Sequence, residues 1–235
     1  MRRPYRRLLL LLGCLTLALS APLSAASTPR LYIFVSADMR ANAFEKQLEA
    51  ELPGVDITVF SRIREFTVAL GDQPEAVLAQ RAVLEAHGLN IDLQGYNGSR
   101  ATETYVLISA QAPIRPDELQ GKTLGAVDIL GRKNMESFVG QVLGSAAPKL
   151  KYVTHERDLL PLLQFDAAAA ALTSETWARR LRTKSQMDLK TFPLSQEVGL
   201  PAVTFTTNQG RSALEAKLKS ARASFNQALG VTQWR

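Results

Sequence analysis

ELQGKTLGAVDILGRKNMESFV occupies residues 118–139. It reads as a turn at Gln120-Gly121-Lys122, a short apolar strand over 123–128, and a Gly-Arg-Lys-Asn step into an amphipathic helix over 135–143. A strand that passes to a helix through a glycine, two cations and an amide has two readings. One is an ordinary loop with solvated charges. The other is a seat for an anion, because the first N–H groups of a helix are unpaired and its amino end is positive. The choice turns on whether such steps recur along the chain and face a common place.

They do recur. Working back toward the amino end, LYIFVSA (31–37) reads as a strand and NAFEKQLEAEL (42–52) as a helix with Phe44, Leu48 and Leu52 on one face, stopped by Pro53-Gly54. VDITVF (55–60) alternates as a strand. A helix through 66–70, a strand at 75–80 and a helix at 82–89 closed by Gly88 complete a βαβαβα series. Two extended runs, 90–96 and 103–110, are joined by the polar NGSRAT. Working forward from residue 143, strands are expected at 149–155, 167–174 and 188–194, with helices at 156–164 and 175–183. The alanine-rich run at 167–174 has helical propensity, but the Phe165-Asp166 step before it and the polar Thr-Ser-Glu step after it favour a strand. A return strand at 199–207 and one long amphipathic helix over 210–229 finish the chain.

Two βα series joined by extended segments imply an α/β fold of two lobes with a hinge and a cleft between them. The expected division is 27–106 for the first part of lobe 1, 107–196 for lobe 2, and 197–235 as a return strand and helix packing on lobe 1. Residues 1–26 read as a secretory signal peptide: four arginines, an apolar run from Leu8 to about Leu19, and small residues at Ser24, Ala25 and Ala26. That implies export to the periplasm. A rival cleavage ahead of Cys14 would instead leave a lipid-anchored protein. Cutting after Ala26 removes four arginines and no acid, so the formal charge falls from +6 to +2, and it removes the single cysteine. A charge this small argues against a general nucleic-acid or membrane-surface binder. The lack of cysteine excludes disulfides and a thiol nucleophile. His87 and His155 are the two histidines and neither has a second histidine or a cysteine at i+3 or i+4. No nucleophile elbow, Walker loop or dinucleotide fingerprint occurs. No enzyme activity, cofactor or metal is therefore expected, and the chain is read as a monomer.

ELQGKTLGAVDILGR resembles the opening of the second lobe in type 2 periplasmic solute-binding proteins, in particular the phosphate/phosphonate-binding branch. DLLPLLQFDAAAAALTSETW and EFTVALGDQPEAVLAQ resemble the corresponding helix–strand units of that family. The resemblance implies a protein that binds a small solute in its cleft and serves an inner-membrane transporter or a sensor kinase. An anionic or zwitterionic ligand is the expectation.

Residues at the carboxyl ends of the expected strands are then the candidate ligand contacts. Gly131, Arg132 and Asn134 form the anion seat of the opening segment, with Arg132 able to offer a planar two-point fork. Ser36 and Arg40 end the first strand, with Asp38 between them equally suited to cap a helix. Arg62 and Arg81 end the next two strands. Ser174 ends the alanine-rich strand, where it is also a good helix cap. Tyr96, before a Gly98 turn, lies at the approach to the hinge. Trp177 and Trp234 are read as packing residues. Two other readings stay open. A dehydratase-like enzyme on this scaffold would need Asp38, Glu65 and Glu175 to converge. An interaction protein with a vestigial cleft would fill the gap with its own side chains.

Overall fold

The computed structural model describes residues 28–36 and 41–235. The expected signal peptide and Cys14 lie outside the described residues. β1 (Arg30–Phe34) leads to α1 (Ala41–Glu51), β2 (Asp56–Phe60), α2 (Ile63–Ala69), β3 (Ala76–Gln80), α3 (Arg81–Ala86) and β4 (Leu93–Tyr96). The chain then crosses to β5 (Thr102–Ser109) and builds β6 (Thr123–Val127), α4 (Arg132–Leu143), β7 (Lys149–Val153), α5 (Leu159–Gln164), β8 (Ala170–Ser174), α6 (Glu175–Lys184) and β9 (Lys190–Gly199). It crosses back at Leu200 into β10 (Pro201–Phe205), α7 (Arg211–Lys219), α8 (Ala223–Ala228) and β11 (Gln233–Trp234).

Two sheets result, ordered β11-β4-β10-β3-β1-β2 and β7-β6-β8-β5-β9. Their inner orders are the same. In the first, β2, β1 and β3 run parallel and β10 pairs antiparallel with β3. In the second, β7, β6 and β8 run parallel and β5 pairs antiparallel with β8. The antiparallel member of each sheet is thus a strand delivered by the crossover from the other half. Each series closes its own sheet with a strand it did not itself supply, so the halves are tied by two chain passages.

The parallel strands are apolar because helices cover their faces. Val77, Leu78 and Ala79 are fully buried, and the alanine-rich β8 is buried throughout. That burial explains why a helix-prone composition becomes a strand: β8 sits between β6 and β5, where small side chains let flanking helices approach. Phe44 and Leu48 of α1, with Leu52 just after it, pack into a core confined to the first sheet. A second core is continuous from Phe34, Phe66 and Val83 into Tyr105, Leu107 and Val198 of the second sheet. The lobes therefore meet through apolar contact as well as through the two chain passages.

Three expectations need correction. The passages fall at 97–101 and at Leu200, ahead of 106 and beyond 197, because Thr102 pairs with Gly199 and both strands belong to the second sheet. The helix after β6 starts at Arg132 instead of 135, with Gly131 at φ +76° reversing the chain into its first turn. The long terminal helix is two short ones. Ser220 Oγ donates back to the carbonyls of Ala216 and Lys217, and the chain resumes as α8 with Phe225 fully buried. It then folds onto β4, where Trp234 Nε1 donates to Asn226 Oδ1 at 2.8 Å. Trp234 is a packing residue, as read.

Candidate functional site

The carboxyl ends of β1, β3 and β8 open on one cavity between the lobes, with Ser36, Gln80 and Ser174 at its wall. The same cavity takes Glu103 from the crossover strand β5, Ile129 from the end of β6, and Leu200 and Pro201 from the return passage. Parallel strands that start together end together, and each ends where its helix must begin. That is why side chains so distant in sequence share a gap. The cavity holds about 90 Å³, against roughly 300–1,000 Å³ for ordinary small-molecule pockets. A ligand of ordinary size therefore fits it only when the lobes part or the wall rearranges.

Helix α6 supplies the cavity's indole and its cation. Ser174 caps this helix by accepting from the Trp177 amide at 3.3 Å. Trp177 and Arg180, three residues apart, share a face, and the Arg180 guanidinium lies 4.8 Å from the indole centroid. At that distance the guanidinium charge is attracted by the indole face. Glu103 is the opposing charge. Burial raises its carboxyl above the usual glutamate range, and Glu175 adds to this. The Ser174 and Thr176 hydroxyls and the Arg180 charge act the other way. Burial drives the Tyr105 phenol upward too, reinforced by Glu103 and Glu156, so it stays a neutral hydroxyl. Gln80 faces that hydroxyl across the lobe junction, and its own Oε1 is buried without a partner.

The segment at 130–134 has a different solution from the one expected. Asp128, at the end of β6, faces the amides of Gly131 and Leu130 and the charge of Arg132. These three favour its ionised form, and burial, the larger influence, disfavours it, so the carboxyl is raised. The chain's own carboxylate thus holds the place an external anion would take. Arg132 and Asn134 are exposed; the Arg132 guanidinium lies 6.0 Å from the Tyr152 ring centroid, and Asn134 Nδ2 donates to the Leu130 carbonyl. Gly131 turns the chain and does not line the cleft.

Of the other candidates, Ser36 and Ser174 come together in the cavity. Arg40 and Asp38 lie outside the described residues. Arg62 points to solvent and pairs with Glu65 at 3.2 Å. Arg81 pairs with Glu85 at 2.7 Å behind the cleft. Tyr96 stacks under the terminal Arg235 at 5.0 Å. Each of these three is spent on a local partner, which strand-end position alone does not reveal. The residues missed were Glu103, Gln80, Trp177 and Arg180. Glu103 carries a signal, since it is the one charged residue of β5, two places before Tyr105. Among the described residues no group of three or more His, Cys, Asp or Glu side chains could hold a metal ion. None of their helices is long and apolar enough to cross a membrane.

No family model matches the chain, and no curated protein matches it in sequence. Solved structures match it well. XAC2383 from Xanthomonas citri, bound to chloride ion, gives a TM-score of 0.67 at 14% identity over 89% of this chain and 91% of that one. The periplasmic VFT2 domain of Bordetella pertussis BvgS gives 0.55 at 13% identity over 86% and 92%. The substrate binding protein of an amino acid ABC transporter gives 0.54 at 15% identity over 86% and 92%. The fold is that of the two-lobed periplasmic binding proteins. At these identities the likeness carries the architecture, and the ligand has to be argued from the cleft itself.

Proposed function

We propose that this chain is an exported solute-binding protein that takes a small zwitterion, of the amino-acid type, between its lobes and presents the closed form to a transporter or a sensor. One observation carries the reading. A half-buried carboxyl, Glu103, and a guanidinium stacked on an indole, Arg180, face the same interlobe cavity together with the hydroxyls of Ser36 and Ser174. The guanidinium fits a carboxylate and Glu103 fits an ammonium group. Ligand contact with both lobes favours the closed form only by as much as the ligand prefers closed to open. A phosphate- or phosphonate-type ligand rested on the 130–134 step, where Asp128 already stands, so the zwitterion is the better fit. A dehydratase role is disfavoured because Glu65 and Glu175 are exposed and Glu65 is paired with Arg62.

A thermal-shift panel of amino acids, phosphate, phosphonates and chloride tests this, because a ligand that binds the folded form raises its melting temperature by mass action. The expected result is a shift with amino acids that Arg180→Ala abolishes. The small cavity favours one second reading, an interaction protein whose cleft is filled by Trp177 and Leu229. That reading predicts no shift with any member of the panel.

A further inference from the structure

A second hollow of about 110 Å³ adjoins the cleft cavity. The two share Glu103, Thr176, Leu200 and Gly230 as a common wall, so Glu103 stands between them. The far hollow is lined by Arg100, Arg179 and Glu175. Arg100 comes from the first chain passage, and Arg179 is the neighbour of Arg180 on α6, turned to the other side. None of Arg100, Arg179 and Arg180 forms a direct ion pair with a carboxylate among the described residues. Guanidiniums without carboxylate partners therefore sit on both sides of one half-buried acid.

We infer that the cleft and the adjoining hollow form one two-chambered site for a dicarboxylic zwitterion. Its ammonium group would rest on Glu103, one carboxylate on Arg180 in the cleft, and the other on Arg100 and Arg179 in the far chamber. The inference rests on the zwitterion reading above and narrows it to an acidic amino acid. Charge supports the narrowing. Three arginines against Glu103 and Glu175 leave the combined site with one positive charge. A dicarboxylic zwitterion brings one net negative charge and balances it. A monocarboxylic one brings none and leaves the site with one unanswered positive charge. Shape agrees, since hollows of about 90 and 110 Å³ each have room for a carboxylate-sized group.

The test is calorimetric titration of the full-length exported chain with L-glutamate, L-aspartate, L-glutamine, L-alanine and glutarate. Glutamine keeps the shape of glutamate and lacks its second charge; glutarate keeps both carboxylates and lacks the ammonium. The expected result is that glutamate or aspartate binds at least about tenfold more tightly than glutamine, the scale of one added charge-assisted contact. Arg179→Ala and Arg100→Ala, both at exposed positions, should erase that preference by bringing glutamate and aspartate affinity down to that of glutamine. Glutarate should bind weakly to the wild type. If glutamine and alanine match glutamate and Arg179→Ala changes nothing, the second chamber is overturned while the zwitterion site stands. If no amino acid binds and only glutarate or phosphate does, both readings fall.

Discussion

Arg81 lies flat against Gly199: a β-carbon placed on Gly199 would come 2.7 Å from Arg81 Cδ and 2.8 Å from its Cβ. The first residue belongs to α3 of the first lobe and the second ends β9 of the other, beside the return passage at Leu200. The close approach of the two lobes behind the cleft thus depends on a missing side chain. Gly199→Ala should cost about 1–3 kcal/mol by overpacking, read as a lower urea midpoint at unchanged slope. Adding Arg81→Ala should recover part of the loss, because it removes the Cδ contact and keeps the Cβ contact. Full recovery, or no loss in the single variant, would show that the lobes do not meet there.

A buried side-chain pair adds to the β4 ladder that holds the terminal strand. Asn226→Ala leaves the Trp234 indole N–H without its 2.8 Å acceptor, at a cost of about 1–3 kcal/mol for an orphaned buried donor. Trp234→Phe in the same chain removes the orphan, so the double variant should lose less than the two single losses added together. Equilibrium unfolding of the four chains measures the difference. Strict additivity would mean that the pair is not coupled.

Glu103 gives stability a pH dependence of defined sign. Its folded-state carboxyl is raised by burial, so the folded chain holds the proton to a higher pH than the unfolded chain. Stability from this group is therefore greatest in acid and falls as pH rises from the ordinary glutamate range, about 4.3, through the raised value. Asp128 shares the sign and Glu75, lowered chiefly by the Arg30 amide and side chain against burial, has the opposite one. The comparison must then be between the wild type and Glu103→Gln. The variant's stability relative to wild type should climb across that window and level off above it. A difference independent of pH would place Glu103 in open solvent.

The opening step at 130–134 predicts a contrast. Arg132→Ala and Lys133→Ala should leave any ligand-induced melting shift as it is, since Arg132 faces Tyr152 and solvent. Arg180→Ala should remove it, with an affinity loss of about tenfold or more for one charge-assisted contact. Loss of the shift in Arg132→Ala would return the anion seat to the loop after β6.

Much of the architecture was legible because it is written in local periodicity. The apolar run of β1, the three-and-four spacing of Phe44 and Leu48, and the stop at Pro53-Gly54 specify a strand and a helix without help from the rest of the chain. The repetition of that alternation across two series, joined by extended segments, was enough to expect two lobes and a cleft. Gly131 was legible as a turn. Its surroundings were not, because the acid that occupies them, Asp128, looks in sequence like any polar residue that ends a strand.

What sequence alone determined is the order of strands and helices, since each depends on neighbours within a few positions. What only the tertiary structure decided is which charges remain unpaired at the gap. Arg62 and Arg81 find partners three and four residues away, and Arg180 finds an indole in place of a carboxylate. Whether a cation is neutralised depends on distances in space of a few ångströms and on how much water is left around it, and strand-end position fixes neither. Glu103 shows the same division: its place in a strand was readable, while its position between two hollows arises only when β5 crosses into the second sheet beside α6.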